Sequence, residues 1–416
     1  MKTNAVAGDL VEVHLSKIIY EGILLENSEP GVVLLKLDSG YNIGFNKKDV
    51  LGIKLLKKVK EVKSEFSVKK DSKKPNVAVL ICGGTITSRL NPKTGGVAPL
   101  TSAEDLFKFY PEIFEKVNVL KTEILFTKDS SEIEPRDWQK FAKSCKKYLD
   151  DDNIKGIIIT HGTDTLHYTS SALNFFLGKV NKPVVLTYSQ RSTDRASSDA
   201  NLNLQCAALA AISDIAEVFI IGHASLNDDF CYAISGTKVR KMHSSARDAF
   251  KSINKKHFAK VFKDRIEILS SYNIRNKNKS RPIIKFEDKV ALIKFYPGQS
   301  PEILDYYLKN KYKGIVLEMF GLGQISGKWV KKLKNIQERG IIICVTTQTI
   351  YGRVNPLIYY IGRELMKTGI IYLKDMLSET AFVKLGWVLA QTSDKNKIKE
   401  MMLTNFANEF NDKLIN

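Results

Sequence analysis

The sequence predicts an α/β protein: a catalytic region of two units with mainly parallel sheets, preceded by a small all-β barrel. Three observations carry that expectation. From Asn76 onward, short apolar runs alternate with longer stretches of helical period. The same alternation resumes at Val290. The first 56 residues differ, holding brief alternating segments closed by tight turns. Strands that alternate with helices need crossovers, and these make a sheet parallel. A chain of 416 residues is also long enough for two or three domains.

Residues 1–56 contain Gly8-Asp-Leu-Val-Glu-Val-His-Leu15 and Val32-Val-Leu-Leu-Lys-Leu37, each alternating apolar and polar positions. Asp38-Ser-Gly40 is a hairpin turn. A barrel of the SH3 or Sm type fits, as a docking unit or as a simple N-terminal cap. Residues 57–75 are crowded with lysine and end at Pro75, the composition of a charged linker that is solvated or brushes RNA phosphates. Residues 76–260 form the first α/β unit, with strands expected at Val77–Cys82, Gly156–Thr160, Pro183–Thr187 and Val218–Gly222. Helices are expected at Ser102–Tyr110, Arg136–Leu149, Thr165–Leu177 and Asp199–Ile212, the last led by an N-cap loop from Asp194. Residues 261–287 suggest a connecting β-hairpin or an extended linker, with a basic turn at Arg275–Arg281. Residues 288–416 form the second unit, with strands at Val290–Phe295, Gly314–Met319 and Gly340–Thr346. Its helices are expected at Pro301–Asn310, Lys328–Arg339 and Glu379–Ala390, with a helix-start signal in Lys374–Glu379.

Lys and Arg exceed Asp and Glu by 64 − 45 = 19, a balance that suits a polyanionic partner or a merely lysine-rich surface. Much of it lies in the linker and around 275–281. No apolar run reaches the roughly 20 residues that span a bilayer, and the N-terminus has no signal-peptide core. Five cysteines show no paired spacing, and Cys82 and Cys344 lie inside apolar runs. A reducing, cytoplasmic setting without membrane association is expected. Six scattered histidines and the lack of any CxxC leave no metal site in the sequence.

The stretch Val77–Ile86 organises the chemistry. A buried strand runs into Gly83-Gly84, and Thr85 follows just past the strand's C-terminal end, the edge where ligands bind in open α/β sheets. Glycines let backbone amides approach a substrate and leave a nucleophile's path clear. Gly162-Thr163-Asp164-Thr165 repeats the arrangement after Gly156–Thr160, with free helix N-terminal amides expected beside it. Thr163 and Asp164 could equally serve as N-caps. Lys241 falls in a polar segment, and a desolvated lysine can take a proton from a hydroxyl, as in Ser-Lys variants of the catalytic triad.

Together, Cys82-Gly-Gly-Thr-Ile-Thr87, Thr160-His-Gly-Thr-Asp-Thr-Leu166 and Lys241 in a segment ending at Asn254 resemble the bacterial-type L-asparaginase family over residues 76–416. The N-terminal barrel, Val239–Ser245, Gln348–Asn355 and Asp375–Lys384 resemble, more narrowly, the family of asparaginase-like subunits of archaeal glutamyl-tRNA(Gln) amidotransferases. That resemblance implies an asparaginase-like fold and a glutaminase that supplies ammonia to a companion subunit. The companion uses ATP and Mg²⁺ to convert Glu-tRNA(Gln) to Gln-tRNA(Gln). Carried onto this chain, Thr85 attacks the glutamine carboxamide, while Thr163, Asp164 and Lys241 activate a hydroxyl or water and orient the substrate. Asp164 binds the substrate ammonium. Ser130 and Ser131, with Gly84 and Gly162, line the substrate site, and Ser130 matches the position that holds the α-carboxylate. A loop serine capping Arg136–Leu149 is the alternative for Ser130. A homodimer through the C-terminal half, inside a larger hetero-oligomer, is also implied.

Two features depart from the family pattern. The loop Ser88–Pro99 has no tyrosine, and Ser131 stands where a longer polar residue is common. Both suit a glutaminase kept quiet until its complex assembles. Gly321-Leu-Gly-Gln-Ile-Ser-Gly-Lys-Trp329 fails P-loop spacing, with Trp329 in place of Ser or Thr, and is expected to be a glycine-rich loop near the site. No cofactor is therefore expected on this chain. The competing readings are a free-standing L-asparaginase and an inert RNA-binding scaffold on the same fold.

Overall fold

A computed structural model describes residues 4–26, 31–38, 42–58, 71–90, 97–99, 110–192 and 197–413. The expected helix at 102–109, most of the linker and positions 193–196 lie outside them.

Period-two alternation builds the first unit. Strands β1 (Leu10–His14), β2 (Ile19–Leu25), β3 (Val32–Lys36), β4 (Asn42–Asn46) and β5 (Gly52–Lys57) pair antiparallel in the order β4-β3-β2-β1-β5. Val11 and Val13 of β1 and Val33 and Leu35 of β3 point to one side, where they meet Phe45 and Val50 in a small core.

β6 (Asn76–Ile81) is apolar from Val77 onward because both its faces are covered there. Ala78 and Leu80 face one layer, with Phe141, Cys145 and Phe176. Val77, Val79 and Ile81 face the other, with Ala207 and Ala211. After Thr85, β7 (Ser88–Leu90) and β8 (Val97–Pro99) form a two-stranded ribbon. The main sheet continues with β9 (Asn118–Ile124), β10 (Gly156–Thr160), β11 (Val184–Thr187), β12 (Val218–His223) and β13 (Cys231–Ser235). A second ribbon pairs β14 (Val239–Lys241) with β15 (Phe250–Ser252), and β16 (Ala259–Val261) and β17 (Ile266–Ile268) close the sheet. Its order is β17-β16-β13-β12-β11-β10-β6-β9. It is parallel from β9 through β12 and antiparallel beyond.

β18 (Val290–Lys294), β19 (Gly314–Met319), β20 (Ile342–Thr347) and β21 (Ile371–Tyr372) form a parallel sheet in sequential order. The helix Ser378–Leu389 covers one face and packs on the helix Leu166–Leu177 of the first α/β unit, where the Ser171 and Thr380 hydroxyls are 3.0 Å apart. Lys238, fully buried, pairs with Asp375 at 2.8 Å across the same seam. Both elements therefore bring the second sheet against the back of the first.

The expected strands and helices are present with ends shifted by one or two residues, except the helix that lies outside the described residues. The sequence does not reveal the antiparallel strands β13 to β15, because turns join them and no crossover helix marks them; β16 and β17 form a hairpin at the start of the expected connection, and the basic turn lies beyond it. One expected cap is corrected. The Asp199 carboxylate accepts from the amides of Gln190 and Arg191 and does not cap its helix. The helix-start signal at Lys374–Glu379 is met by the helix Ser378–Leu389, which begins without a side-chain cap while Lys238 and Asn411 engage Asp375. Arg275, part of the expected basic turn, donates to the main-chain carbonyls of Lys155 and Ser213. All five cysteines are buried and unpaired. Among the described residues, no helix is long and apolar enough to cross a membrane, and no three His, Cys, Asp or Glu side chains gather as metal ligands.

Candidate active site

β6 and β10 lie side by side in parallel register, with Ile81 opposite Thr160. The loops that follow them meet at the C-terminal edge of the sheet. Gly83 and Gly84 take φ of 82° and 81°, a region side chains rarely adopt. Space gives a second reason for Gly84: a Cβ there would lie 2.4 Å from the backbone nitrogen and Cα of Gly162. Thr85 then opens a single 3₁₀ turn, Thr85–Thr87. The Gly84 carbonyl anchors that turn, accepting from the Thr87 amide at 3.0 Å and hydroxyl at 3.1 Å and from the Ser88 hydroxyl at 2.8 Å. The Thr85 hydroxyl makes no hydrogen bond among the described residues. Gly84→Ala is expected to cost more than about 2 kcal/mol through strain and backbone overlap, measured as a lower urea midpoint at unchanged slope.

On the second loop, Lys241 reaches across from β14. Its ammonium donates to the Thr163 hydroxyl at 2.8 Å and to the Asp164 carboxylate at 2.7 Å. The Lys241 side chain is 12% exposed and that of Asp164 65% exposed, so the contact runs from the interior to the solvent edge. Neither Thr163 nor Asp164 caps the helix Leu166–Leu177, whose N-cap Thr165 makes no side-chain cap bond. The capping alternative is thereby corrected.

Ser130 joins the two loops to a third. Its hydroxyl oxygen accepts from the Asp164 amide at 3.0 Å, and its carbonyl accepts from the Thr165 hydroxyl at 2.6 Å. That amide was expected to be free; Ser130 occupies it. Ser130 does not cap the following helix either. Pro135–Leu149 carries its own capping box, Glu134 with Asp137. Lys128 bonds Asp137 at 2.7 Å and ties the Ser130 loop to that box.

A cavity of about 540 Å³ opens between these loops. Gly84, Thr85, Ser130, Ser131, Gly162, Thr163 and Asp164 all line it. Lys241 does not; it touches the cavity wall through Thr163 and Asp164. None of residues 321–329 lines it, so the glycine-rich loop expected near the site is corrected to a turn of the second unit that leaves the cavity untouched.

Behind the wall, His161 is fully buried. Its Nδ1 lies 2.6 Å from the Gly162 carbonyl and its Nε2 2.9 Å from the Thr169 hydroxyl. A carbonyl only accepts, so Nδ1 carries the proton and Nε2 accepts from Thr169. Burial pushes the His161 pKa down to about 4. The unfolded chain, near 6.5, binds a proton that the folded chain refuses between these values. Stability from His161 is therefore full above pH 6.5 and is lost as pH falls through 4, by roughly 3 kcal/mol. Urea midpoints across that range should fall with acid, and less so in His161→Gln.

Sequence reasoning missed Arg240, Glu379 and His167. Arg240, next to Lys241, pairs with Glu379 at 3.0 Å, and His167, in the first turn after Asp164, lies 4.0 Å from the same oxygen. Burial pushes the Glu379 carboxyl up against the pull of Arg240. Burial, with Arg240 and Lys241 nearby, pushes His167 down to about 3. One carboxylate from the second unit thus braces, through Arg240, the strand that carries Lys241. Arg240's place beside Lys241 was the available signal; nothing local tied Glu379 to it.

Comparison with known proteins agrees with this architecture. Residues 76–273 match the family "Asparaginase, N-terminal", and residues 289–402 match "Glutaminase/Asparaginase C-terminal domain". The thermostable L-asparaginase from Thermococcus kodakarensis superposes with a TM-score of 0.72 at 32% identity, covering 81% of this chain and 100% of that one. L-asparaginase I from Vibrio cholerae gives 0.68 at 27% identity, covering 81% and 99%. The fold is that of the asparaginase class, a class of amidohydrolases. Residues 5–56 match the "GatD N-terminal domain". The GatD-type subunit of glutamyl-tRNA(Gln) amidotransferase from Pyrococcus furiosus is 45% identical over 94% of this chain and 91% of its own. That of Thermococcus kodakarensis is 45% identical over 97% and 94%. The chain belongs to the GatD family of glutamyl-tRNA(Gln) amidotransferase subunits.

Proposed function

We propose that this chain is the glutaminase of a tRNA-dependent amidotransferase, with Thr85 as its nucleophile. The observation that carries the proposal is the placement of a hydroxyl with no partner among the described residues in the same cavity as the Thr163–Lys241–Asp164 cluster. The Thr85 oxygen bonds to the carboxamide carbon of glutamine, and the carbon–nitrogen bond breaks. The Thr85 proton passes to the departing nitrogen, which leaves as ammonia. Water, activated by the Thr163–Lys241–Asp164 cluster, then cleaves the glutamyl ester and frees glutamate. Asp164 takes the substrate ammonium. Ser130, whose hydroxyl oxygen already accepts from Asp164, has its own proton to donate to the α-carboxylate. Ser131, Gly84 and Gly162 complete the substrate wall.

Ammonia passes to a companion subunit, which holds ATP and Mg²⁺ and amidates Glu-tRNA(Gln) in the cytoplasm. Residues 1–56 dock, 57–75 link, 76–260 carry the site, 261–287 connect, and 288–416 brace it and pair with a second copy of this chain. The test is ammonia release from glutamine and from asparagine by the purified chain, with and without the companion and Glu-tRNA(Gln). Glutamine turnover that rises when the complex assembles supports the proposal. Strong asparagine hydrolysis by the chain alone points to a free-standing asparaginase, and no hydrolysis under any condition points to an inert scaffold.

A further inference from the structure

The strand that carries Lys241 is not part of the main sheet. β14 pairs with β15 in a two-stranded ribbon of its own, so the eight-stranded ladder does not fix its position. The contacts of Lys241 are themselves a weak anchor. They end on two loop side chains, and Asp164 is largely exposed, where an ion pair adds little. The second unit supplies the stronger ties. Just ahead of β14, the Thr237 hydroxyl donates to the Ala407 carbonyl at 2.9 Å, and the Thr237 carbonyl accepts from the Thr380 hydroxyl at 3.0 Å. The Lys238 ammonium donates to the carbonyl and to the carboxylate of Asp375, at 2.8 Å each. Arg240 then reaches Glu379 at 3.0 Å. Successive side chains of a strand point to opposite sides. Lys238 and Arg240 accordingly both meet the second unit, and Lys241, the next residue, meets Thr163 and Asp164.

We infer that Glu379 is a positioning residue for the hydrolytic site. Through Arg240 it fixes β14, and so holds the Lys241 ammonium between the Thr163 hydroxyl and the Asp164 carboxylate. Of the ties to the second unit, this one is nearest to Lys241 in the chain. It is also better shielded than the contact it serves: Glu379 is 8% exposed and Arg240 29%, against 65% for Asp164. A group that activates a hydroxyl or water must keep its place to about 0.5 Å. A shift of about 1 Å caused by a remote substitution can slow a reaction about 100-fold. The second unit thus acts on hydrolysis without lining the cavity, whose walls all come from residues 83–164. Lys238 and Asp375 tie the same segment, but that pair is fully buried, and breaking it would damage the fold. The Arg240–Glu379 contact can be opened while the deeper pair keeps the seam closed. The inference rests on the reading of Lys241 as part of the hydrolytic cluster.

The experiment uses the full-length chain assembled with its companion subunit and Glu-tRNA(Gln). Ammonia release from glutamine gives kcat and KM for wild type, Glu379→Gln, Arg240→Gln, Lys241→Ala and each of the first two combined with Lys241→Ala. Glutamine keeps the size of Glu379 and removes its charge. Arg240→Gln opens the same contact from its more exposed side, should Glu379→Gln fail to fold, and near-ultraviolet circular dichroism reports the fold. Each single change at 379 or 240 is expected to lower glutamine turnover by about 10- to 100-fold, more in kcat than in KM, with ammonia-driven amidation unchanged. In the Lys241→Ala chain the same changes should lower turnover further by less than about twofold, because the residue they position is gone. Wild-type turnover in both single variants overturns the inference. So does an equal fold-loss with and without Lys241, which would make the pair a structural tie alone, and so does a matching loss of ammonia-driven amidation. Should Lys241→Ala itself turn over glutamine like wild type, the reading of the site falls with the inference; should Lys241→Ala be impaired and the other changes act independently of it, only the inference falls.

Discussion

Thr85→Ala is expected to abolish amidation driven by glutamine and to leave amidation driven by added ammonia intact. The substitution removes the hydroxyl that the Gly83–Gly84 turn presents to the cavity. It keeps the backbone turn, because the Gly84 carbonyl is held by Thr87 and Ser88 and not by Thr85. Loss of a covalent nucleophile costs at least about 10³-fold in turnover. In the proposed scheme ammonia enters after the step assigned to Thr85, so added ammonia is expected to bypass the loss. Equal loss with both nitrogen donors would remove Thr85 from its proposed role and make it a structural residue of the complex.

Lys241→Ala carries the second large effect. Among the described residues, Lys241 alone bonds the side chains of both Thr163 and Asp164, and its loss leaves a hydroxyl and a carboxylate without their shared cation. Glutamine turnover is expected to fall by about 10²–10⁴-fold with ammonia-driven amidation unchanged. Lys241→Arg should not restore it. A planar guanidinium cannot occupy the position of a compact ammonium that meets two oxygens at 2.7 and 2.8 Å, nor give up a proton at neutral pH. Restoration by arginine would mean that a fixed positive charge suffices, and that proton transfer through this residue is not needed.

The parallel core was legible in the sequence because a strand covered on both faces must be apolar along its length. Val77–Cys82 and Gly156–Thr160 show this without alternation. The glycines at 83, 84 and 162 were legible as turn residues. Their tighter reason, the contact of two loop backbones at Gly84 and Gly162, belongs to the tertiary structure and has no local trace. The antiparallel strands β14–β17 were mostly illegible since a three-residue strand between turns has too short a period to detect. Lys241 sits on such a strand; its residue type suggested a chemistry, but its contacts with Thr163 and Asp164 come from a crossing of elements far apart in sequence. Glu379 was illegible for the same reason, as an acidic residue in the first turn of a helix looks like ordinary dipole compensation. Ser130 shows the opposite case. Its alternatives were open in the sequence, and the neighbouring Glu134–Asp137 capping box removed one of them.

Peptide mass mapping of the complex, quenched in acid during glutamine turnover, tests the central claim most directly. A glutamyl ester on Thr85, absent in Thr85→Ala and accumulating in Lys241→Ala if ester hydrolysis becomes slow, is the predicted result. A glutamyl ester on Thr163, or steady ammonia release from the Thr85→Ala chain, would contradict it.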